Sequence, residues 1–293
     1  MRRSRGLGDV YKRQVPASGI APGRLVSRHG RTRSHAIVLA VAAALLVAGI
    51  ATPLLIAAGG SLAAHPIATV IAAVLCVAGL GMAVAWKAME PKVVLALHER
   101  GVVIHHTRKK ADDFVPFAHM ADLYLYRTGQ QSGLVNALAF RRDGRSPWID
   151  VRDNLGDAFR LRGAIIEGQL RERGPLTLRA LEAGEGIEFH TVTDEDRHAR
   201  RQAKVGQGIA AKAFYLSPLG VEFEGFTIPL GDIASVDEGT TSGSLRLLDE
   251  RGNTLWGVHY LSLFSADLFI VLMRTLIESR HYGLGGVTSN KSY

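Results

Sequence analysis

A long apolar stretch near the start of the chain constrains its fold more than any other feature. No Asp, Glu, Lys or Arg occurs between Arg33 and Lys87. Within this stretch, Ala36–Ala58 and Ile67–Trp86 each reach the length of about 20 residues that spans the hydrocarbon core of a bilayer. A short Gly-containing turn separates them. We predict a two-helix transmembrane hairpin over residues 36–86.

Two other interpretations fit the same stretch. It could be a buried helical hairpin in a soluble core, but such helices carry a polar face, and neither segment has one. Alternatively, residues 31–51 could be a cleaved signal peptide, in which case the second apolar segment would still anchor the chain. The sequence favours the transmembrane hairpin over both.

Small residues recur at every fourth position in the hairpin, a pattern that lets helix backbones approach closely in lipid. The stripe fits packing of the two helices against each other, and it fits a homodimer equally well. Its members are Ala36, Ala40, Ala44, Ala48 and Thr52 in the first segment, and Ala68, Ala72, Cys76, Gly81 and Ala85 in the second.

Basic residues flank the hairpin on both sides and do not occur in its turn. By the positive-inside rule, this distribution predicts that both ends of the chain are cytoplasmic in a bacterial inner membrane. The single cysteine, Cys76, lies inside the apolar stretch, which agrees with a reducing compartment for the remainder. The flanking basic residues are Arg24, Arg28, Arg31, Arg33, Lys87 and Lys92.

The formal net charge of +8 is concentrated at the N-terminus. Residues 1–14 hold five basic residues and one acidic residue, so the remainder carries +8 minus +4, or +4. Gly8–Gln14 resembles a translated sequencing adapter, and we predict that residues 1–14 are an artefact. Residues 15–35 are predicted to be a basic flexible arm. The modest remaining charge does not indicate a nucleic-acid-binding protein.

After the hairpin, the hydrophobic pattern changes to short apolar runs separated by polar turns, as in antiparallel sheets. From Leu155 the apolar residues take helical spacing, with Gly174-Pro175 as the predicted stop. We therefore predict one unit of strands and a closing helix over residues 92–173. Residues 174–210 are predicted to be a linker or short charged helix, with a strand over Gly186–Val192.

The same series then returns over residues 211–282, followed by a tail over residues 283–293. The spacing between matching positions shortens only gradually, as loop shortening requires, so we predict two copies of one unit. The matching segments are 97–102 with 216–221, 115–120 with 228–233, Gly144 and Trp148 with Gly252 and Trp256, and Leu161, Ile165, Ile166 and Leu170 with Leu268, Leu272, Met273 and Ile277.

The stretch Ile228–Val236 is similar to the Ile-Pro-Leu-x-x-Ile-x-Ser-Val motif of bacterial pleckstrin-homology-like domains. In the first copy, Asp122-Leu123 replaces the Ser-Val pair. The resemblance implies a membrane protein of α+β class, in which a transmembrane hairpin precedes two such units. Each unit would be a bent antiparallel β-sheet with a C-terminal capping helix, because an open curved sheet must have its end covered.

A basic run between two predicted strands of the first unit is the sharpest candidate site. Cations on a membrane-tethered domain can meet anionic headgroups, each contributing about 1 kcal/mol near the surface. The alternative interpretation is that the run is a solvated hairpin tip without a binding role. The second unit has Glu222–Gly225 at the matching place, so this role would not be shared. The tentative headgroup site consists of His105, His106, Arg108, Lys109 and Lys110.

Other motifs give no indication of catalysis or of a cofactor. His105 and His106 are adjacent on a strand and would point to opposite faces, so they would chelate a metal poorly. The stretch Gly206–Lys212 lacks the spacing of a phosphate-binding loop, and Gly129–Gly133 is not a nucleophile elbow. We expect no enzyme activity, no metal and no cofactor.

These observations predict an inner-membrane protein without enzyme activity. Its two cytoplasmic modules would form a platform that binds a protein partner or assembles with itself. The alternative is sensing of anionic lipid through the basic loop of the first module. An enzyme with a site between the modules is the least favoured class.

Overall fold

The computed structural model describes residues 19–30, 33–59, 66–88, 93–106, 112–126, 137–151, 155–192, 211–239 and 243–281. The predicted artefact at residues 1–14 and the predicted tail at residues 283–293 lie outside them. The described residues form an α+β structure in which two long apolar helices are accompanied by antiparallel sheets and two further helices. The helices are α1 (Arg33–Gly59), α2 (Pro66–Ala88), α3 (Ala158–Glu182) and α4 (Ala266–His281).

Helices α1 and α2 form the predicted hairpin. Their apolar spans, Ala36–Leu55 and Ile67–Lys87, are long and apolar enough to cross a membrane. Only 11% of each span is buried within the protein. A helix in a soluble core would bury its apolar surface, so this exposure argues against the soluble-core interpretation.

Two glycines let the hairpin helices approach closely. A Cβ at Gly49 would lie 2.6 Å from Cys76 Sγ, and one at Gly79 would lie 2.8 Å from Leu46 Cγ. Only part of the predicted stripe of small residues lies at the contact between the two helices. Ala72 is buried and Cys76 half-buried at the contact, whereas the first-helix alanines lie on the exposed side of α1. Those exposed positions are Ala36, Ala40, Ala44 and Ala48.

The first unit contains a four-stranded and a three-stranded antiparallel sheet, followed by the first half of α3. Its core lies between the sheets and the helix and includes Phe117, Phe140, Leu161 and Ile165. The strands are β1 (Leu25–His29), β2 (Val93–His98), β3 (Gly101–His106), β4 (Asp112–Pro116), β5 (Asp122–Tyr126), β6 (Ala137–Arg141) and β7 (Ile149–Val151).

Strand β1 corrects the prediction that residues 15–35 form a flexible arm. It pairs antiparallel with β2, with Arg28 opposite Ala96 and His29 opposite Leu95. The hairpin is therefore inserted between two neighbouring strands of one sheet. The first unit begins before the hairpin rather than at residue 92. Sequence periodicity missed β1 because its pattern is mostly polar and exposed, and its partner lies more than sixty residues away.

The second unit has the same order of elements: four strands, three strands and a helix. Its core includes Phe214, Leu245, Leu268 and Phe269. The strands are β8 (Ile187–Thr191), β9 (Lys212–Ser217), β10 (Gly220–Phe223), β11 (Phe226–Pro229), β12 (Ser235–Gly239), β13 (Ser244–Leu248) and β14 (Thr254–His259). The predicted strand within residues 186–192 is present as β8, and it belongs to this unit rather than to a linker.

Helix α3 joins the two units. It continues past the predicted stop, so Pro175 lies inside it. Proline removes a backbone donor, and Thr177 Oγ1 donates to the nearby carbonyls of Arg173 and Gly174, at 3.0 and 2.8 Å. The second half of α3 packs Leu178 and Leu181 into the core of the second unit. This packing explains why the helix extends where its sequence predicts an end.

Candidate functional site

One end of the first unit, which we call the hairpin-proximal end, carries His105 and His106, the two residues of the predicted site that the structure describes. The chain leaves this end after Gly30 and returns to it at Val93. In the register of β2 and β3, Val93 lies opposite His106, and Val94 lies opposite His105. Both predicted histidines therefore lie where the chain enters and leaves the hairpin.

Each histidine pairs with a different aspartate on β4. His105 Nδ1 lies 2.8 Å from Asp112 Oδ1, and His106 Nε2 lies 3.3 Å from Asp113 Oδ2. Adjacent strand residues face opposite sides of a sheet, so the two pairs do not converge. Among the described residues, no group of three or more His, Cys, Asp or Glu side chains could hold a metal ion. Arg108, Lys109 and Lys110 lie outside the described residues, although both flanks of their loop are at this end.

The start of α3 lies at the same end, which sequence analysis did not identify. Gly156 N donates to Gly30 O at 2.8 Å, and His29 Nδ1 lies 2.8 Å from Gly156 O. Three residues later, Phe159 exposes 79% of its surface. The Arg162 guanidinium carbon lies 5.7 Å from the centre of its ring. An exposed phenylalanine beside the hairpin could not be found from the sequence because β1 had not been predicted.

A second group of polar residues joins the two units at the opposite end of the first unit. Asp122, which begins β5 and is 3% exposed, accepts a hydrogen bond from Arg141 Nε at 2.6 Å. His190, on β8 of the second unit, lies 3.2 Å from the other carboxylate oxygen. Arg173, on α3, donates to the carbonyls of Met120 and Ala121. We call these four residues the junction cluster.

Charges in the junction cluster shift the ionisation of its members. Burial alone would raise the pKa of Asp122, but the His190 hydrogen bond and the Arg141 and His190 charges outweigh it and lower that pKa. The hydrogen bond to Asp122 raises the pKa of His190. Burial lowers the pKa of Arg173, and Asp122 opposes that shift. The cluster therefore favours an ionised aspartate facing cations from both units.

Backbone hydrogen bonds also join the units. Ser265 of the second unit donates its N–H to Leu123 O at 2.7 Å, and its Oγ accepts from Leu123 N at 3.1 Å. Gln169 Nε2, on α3, donates to the same Oγ at 2.9 Å. Ser265 adopts a φ of 51°, a left-handed conformation that is uncommon for a residue with a side chain. These contacts fix the edge strand β5 against the second unit.

Aromatic packing completes the junction and corrects one sequence prediction. Trp148 contacts Phe264 of the second unit, with ring centres 5.2 Å apart, whereas Trp256 packs on Phe214 in the core of its own unit. The two tryptophans are therefore not equivalent. Trp256 lies opposite Leu247, whereas the residue opposite Phe140 is Ile149, not Trp148. A shift of one residue turns a strand side chain to the other face.

The second unit also carries an open groove of about 500 Å³, beside the end of β8. Its wall combines short polar and apolar side chains with Arg246 and His259, and Arg246 already pairs with Asp237 at 2.6 Å. This arrangement supplies neither an activated nucleophile nor a metal-ligand set. The lining residues are Thr191, Val192, Ser244, Arg246, Gly257, Val258 and His259.

Comparison with known protein families, curated proteins and solved structures found no match to this chain. Its functional interpretation therefore depends on its own sequence and geometry.

Proposed function

We propose that this chain is a non-enzymatic protein of the bacterial inner membrane. In this proposal α1 and α2 span the bilayer, and the two units are cytoplasmic pleckstrin-homology-like modules. Together the modules form a platform for a protein partner or for self-assembly. The observation that carries the proposal is that both units are connected to the hairpin and to each other. Strands β1 and β2 pair on either side of the hairpin in the chain, and the junction cluster joins the second unit to the first.

This arrangement supports a platform because the junction cluster, which joins the second unit to the first, lies at the end opposite the hairpin. Residue Asp122 lies at the end of the first unit opposite the hairpin, since β4 runs from the hairpin-proximal end and stops at Pro116. Side chains on the second unit then remain available to partners. Phe226 is 51% exposed and Leu219 is 79% exposed. Exposed apolar residues are common, so a partner site must be tested directly.

Membrane topology can be tested with single cysteines in a Cys76→Ala background. Ser61→Cys lies in the hairpin turn, and Ser279→Cys lies on α4. We expect a membrane-impermeant maleimide to label position 61 in intact spheroplasts, and position 279 only after permeabilisation. Labelling of position 279 in intact spheroplasts would contradict the cytoplasmic placement.

The platform can be tested by placing a photo-crosslinking amino acid at Phe226 in cells. We expect a discrete adduct, at twice the chain mass for self-assembly and at another fixed mass for a partner protein. Arg251, in an exposed turn of the same unit, provides the matched control position. Adducts that are absent at position 226, or identical from both positions, would overturn the platform.

Contact of the basic loop with anionic lipid is a second candidate, favoured by one observation. His106, the last residue of β3, lies opposite Val93, where β2 begins after α2, so the strand end that precedes the loop lies beside the point where the chain returns from the hairpin. Trypsin cleaves after Arg108, Lys109 and Lys110, so the rate of cleavage measures how accessible the loop is. We expect cleavage there to be slower in proteoliposomes with anionic lipid than with neutral lipid, and salt to remove the difference. Equal rates, with cleavage at Arg251 as the control, would exclude headgroup contact.

A further inference from the structure

We propose that Phe159 anchors the hairpin-proximal end of the first unit in the membrane interface. The inference rests on the proposed membrane insertion of α1 and α2 and adds a contact that the hairpin alone does not require. The occupant of this surface is the bilayer itself, at the boundary between headgroups and acyl chains. Phe159 would turn a tethered domain into one with a fixed orientation on the membrane.

Two short chain segments connect the hairpin-proximal end to the apolar helices. Gly30 hydrogen-bonds to Gly156 and lies three residues before Arg33, where α1 begins. Three residues span at most about 10 Å. On the return side, Val93 follows Ala88 by five residues, a distance of at most about 17 Å. Two short connections at neighbouring strands therefore hold this end of the unit beside the ends of both apolar helices.

The direction of α3 also points the side chain of Phe159 toward the hairpin. Helix α3 begins at the hairpin-proximal end and runs away from it, because Arg171 Nη2 reaches Glu99 O, in the β2–β3 turn at the opposite end. Side chains on a helix lean toward its N-terminus. Phe159, in the first turn, therefore leans toward the hairpin and not along the body of the unit.

The exposure and the neighbours of Phe159 also suit the membrane interface. Phe159 is 79% exposed, yet it follows Ala158, which is packed into the core, so the ring cannot withdraw without unwinding the helix start. Arg162 lies against the ring, and Arg160 is exposed in the same turn. Arg162 is buried at 8% exposure, so the exposed cation beside the ring is Arg160. An exposed ring next to an exposed cation matches the interface, where the ring meets acyl chains and the cation meets phosphates. Because the hairpin holds the ring near the bilayer, even a weak contact is populated.

The test uses the full-length protein with Cys76→Ala, reconstituted in neutral vesicles, with a nitroxide spin label at one introduced cysteine. The labelled positions are Phe159→Cys, Leu176→Cys and Val77→Cys. Leu176 provides the matched control, because it is 45% exposed on the same helix, about 25 Å further from the hairpin. Val77 is 72% exposed on α2 and reports whether the hairpin spans.

We expect accessibility to dissolved oxygen, relative to a water-soluble nickel complex, to be at least tenfold higher at position 159 than at position 176. Position 77 should be more lipid-exposed than either. A lipid-exposed position 77 with an aqueous position 159 would overturn the anchor while leaving the hairpin proposal intact. An aqueous position 77 would overturn membrane insertion and the anchor together.

As a second readout, we expect Phe159→Ser to raise amide hydrogen exchange of residues 155–161 in vesicles, but not in detergent lacking a bilayer. Phe159→Leu should preserve the slow exchange. A serine variant that exchanges equally fast in both environments would show that the ring only stabilises the helix start, which contradicts the anchor.

Discussion

The two units share one architecture but use the same connection differently. In the first unit, the link between its first two strands contains the two apolar helices. In the second, β8 and β9 are joined by residues 192–211, which include a charged run over 194–204. Neighbouring antiparallel strands leave a sheet side by side, about 4.8 Å apart. This spacing is close enough for both legs of a packed helical hairpin. The comparison teaches that the connection tolerates a large insertion because its two ends already lie together.

The units also differ in the burial of a similar ion pair. Each has an Asp–Arg pair across the first two strands of its three-stranded sheet. In the first unit the side chains of Asp122 and Arg141 are 5% and 13% exposed, whereas those of Asp237 and Arg246 in the second are 35% and 46% exposed. The buried pair also faces His190 of the other unit. The buried pair therefore contributes to the contact between the units, whereas the exposed pair lies on the surface of one unit.

The largest expected effect comes from removing the buried carboxylate. Asp122→Ala leaves the half-buried Arg141 and Arg173 without the buried carboxylate that faces them, and we expect the free energy of unfolding to fall by about 3–5 kcal/mol. Asp237→Ala, in the exposed pair, should cost at most about 1 kcal/mol. Urea titration with pulse proteolysis of the detergent-solubilised protein measures both. Equal losses from the two variants would break the comparison.

Two matching glycines should give the next largest effect. A Cβ at Gly101 would lie 2.4 Å from Val115 O, and one at Gly220 would lie 2.0 Å from Ile228 O, the matching strand position. We expect Gly101→Ala to cost about 1–3 kcal/mol by overpacking. Gly220→Ala should cost about 1 kcal/mol more, because its φ of 149° adds backbone strain.

The same denaturation measurement checks these glycine variants. Gly144→Ala provides the control, because nothing lies within 4 Å of its added Cβ. If Gly101→Ala and Gly144→Ala were equally stable, the close approach in the first unit would be wrong.

The smallest expected effect is a dependence of the junction on pH. The pKa of His190 is raised above 6.5 by Asp122, so its contribution is complete below pH 6.5 and is lost as pH rises through the raised pKa. The pKa of Asp122 is lowered below 3.8, so its contribution is present above that pH and is lost as pH falls through the lowered value. Stability should therefore be greatest in the mildly acidic range between them.

Comparing the wild type with His190→Gln isolates this pH effect. We expect the decline in stability above pH 6.5 to be shallower in the variant, measured by thermal denaturation at several pH values. An unaltered slope in His190→Gln would mean that the cluster does not couple the units through this histidine.

Local patterns in the sequence were sufficient for the elements that short-range physics determines. Uncharged runs of about 20 residues predicted α1 and α2, and the 3.6-residue spacing from Leu155 predicted the start of the third helix. The coarse α+β layout followed from the same patterns. Tertiary contacts decided the rest: β1 pairs across the whole hairpin, and α3 passes Pro175 because the second unit packs Leu181.

The candidate site divides in the same way. The basic run was predicted to lie between two strands from local alternation and charge, and the structure extends β3 through its first two residues, His105 and His106. The junction cluster was missed because Asp122, Arg173 and His190 come from three distant parts of the chain, and none stands out in its own segment. Phe159 was missed because Gly30, which hydrogen-bonds to Gly156 just before α3, follows a strand that its own residues do not predict.

The central claim is that the hairpin is inserted between two paired strands of the first unit. Disulfide formation between Arg28→Cys and Ala96→Cys, in a Cys76→Ala background, tests it most directly, because these positions face each other in the β1–β2 register. We predict rapid cross-linking in isolated membranes treated with a mild oxidant, and none between Arg28→Cys and Ala213→Cys on β9 of the second unit. Cross-linking of the second pair, or failure of the first, would contradict the insertion.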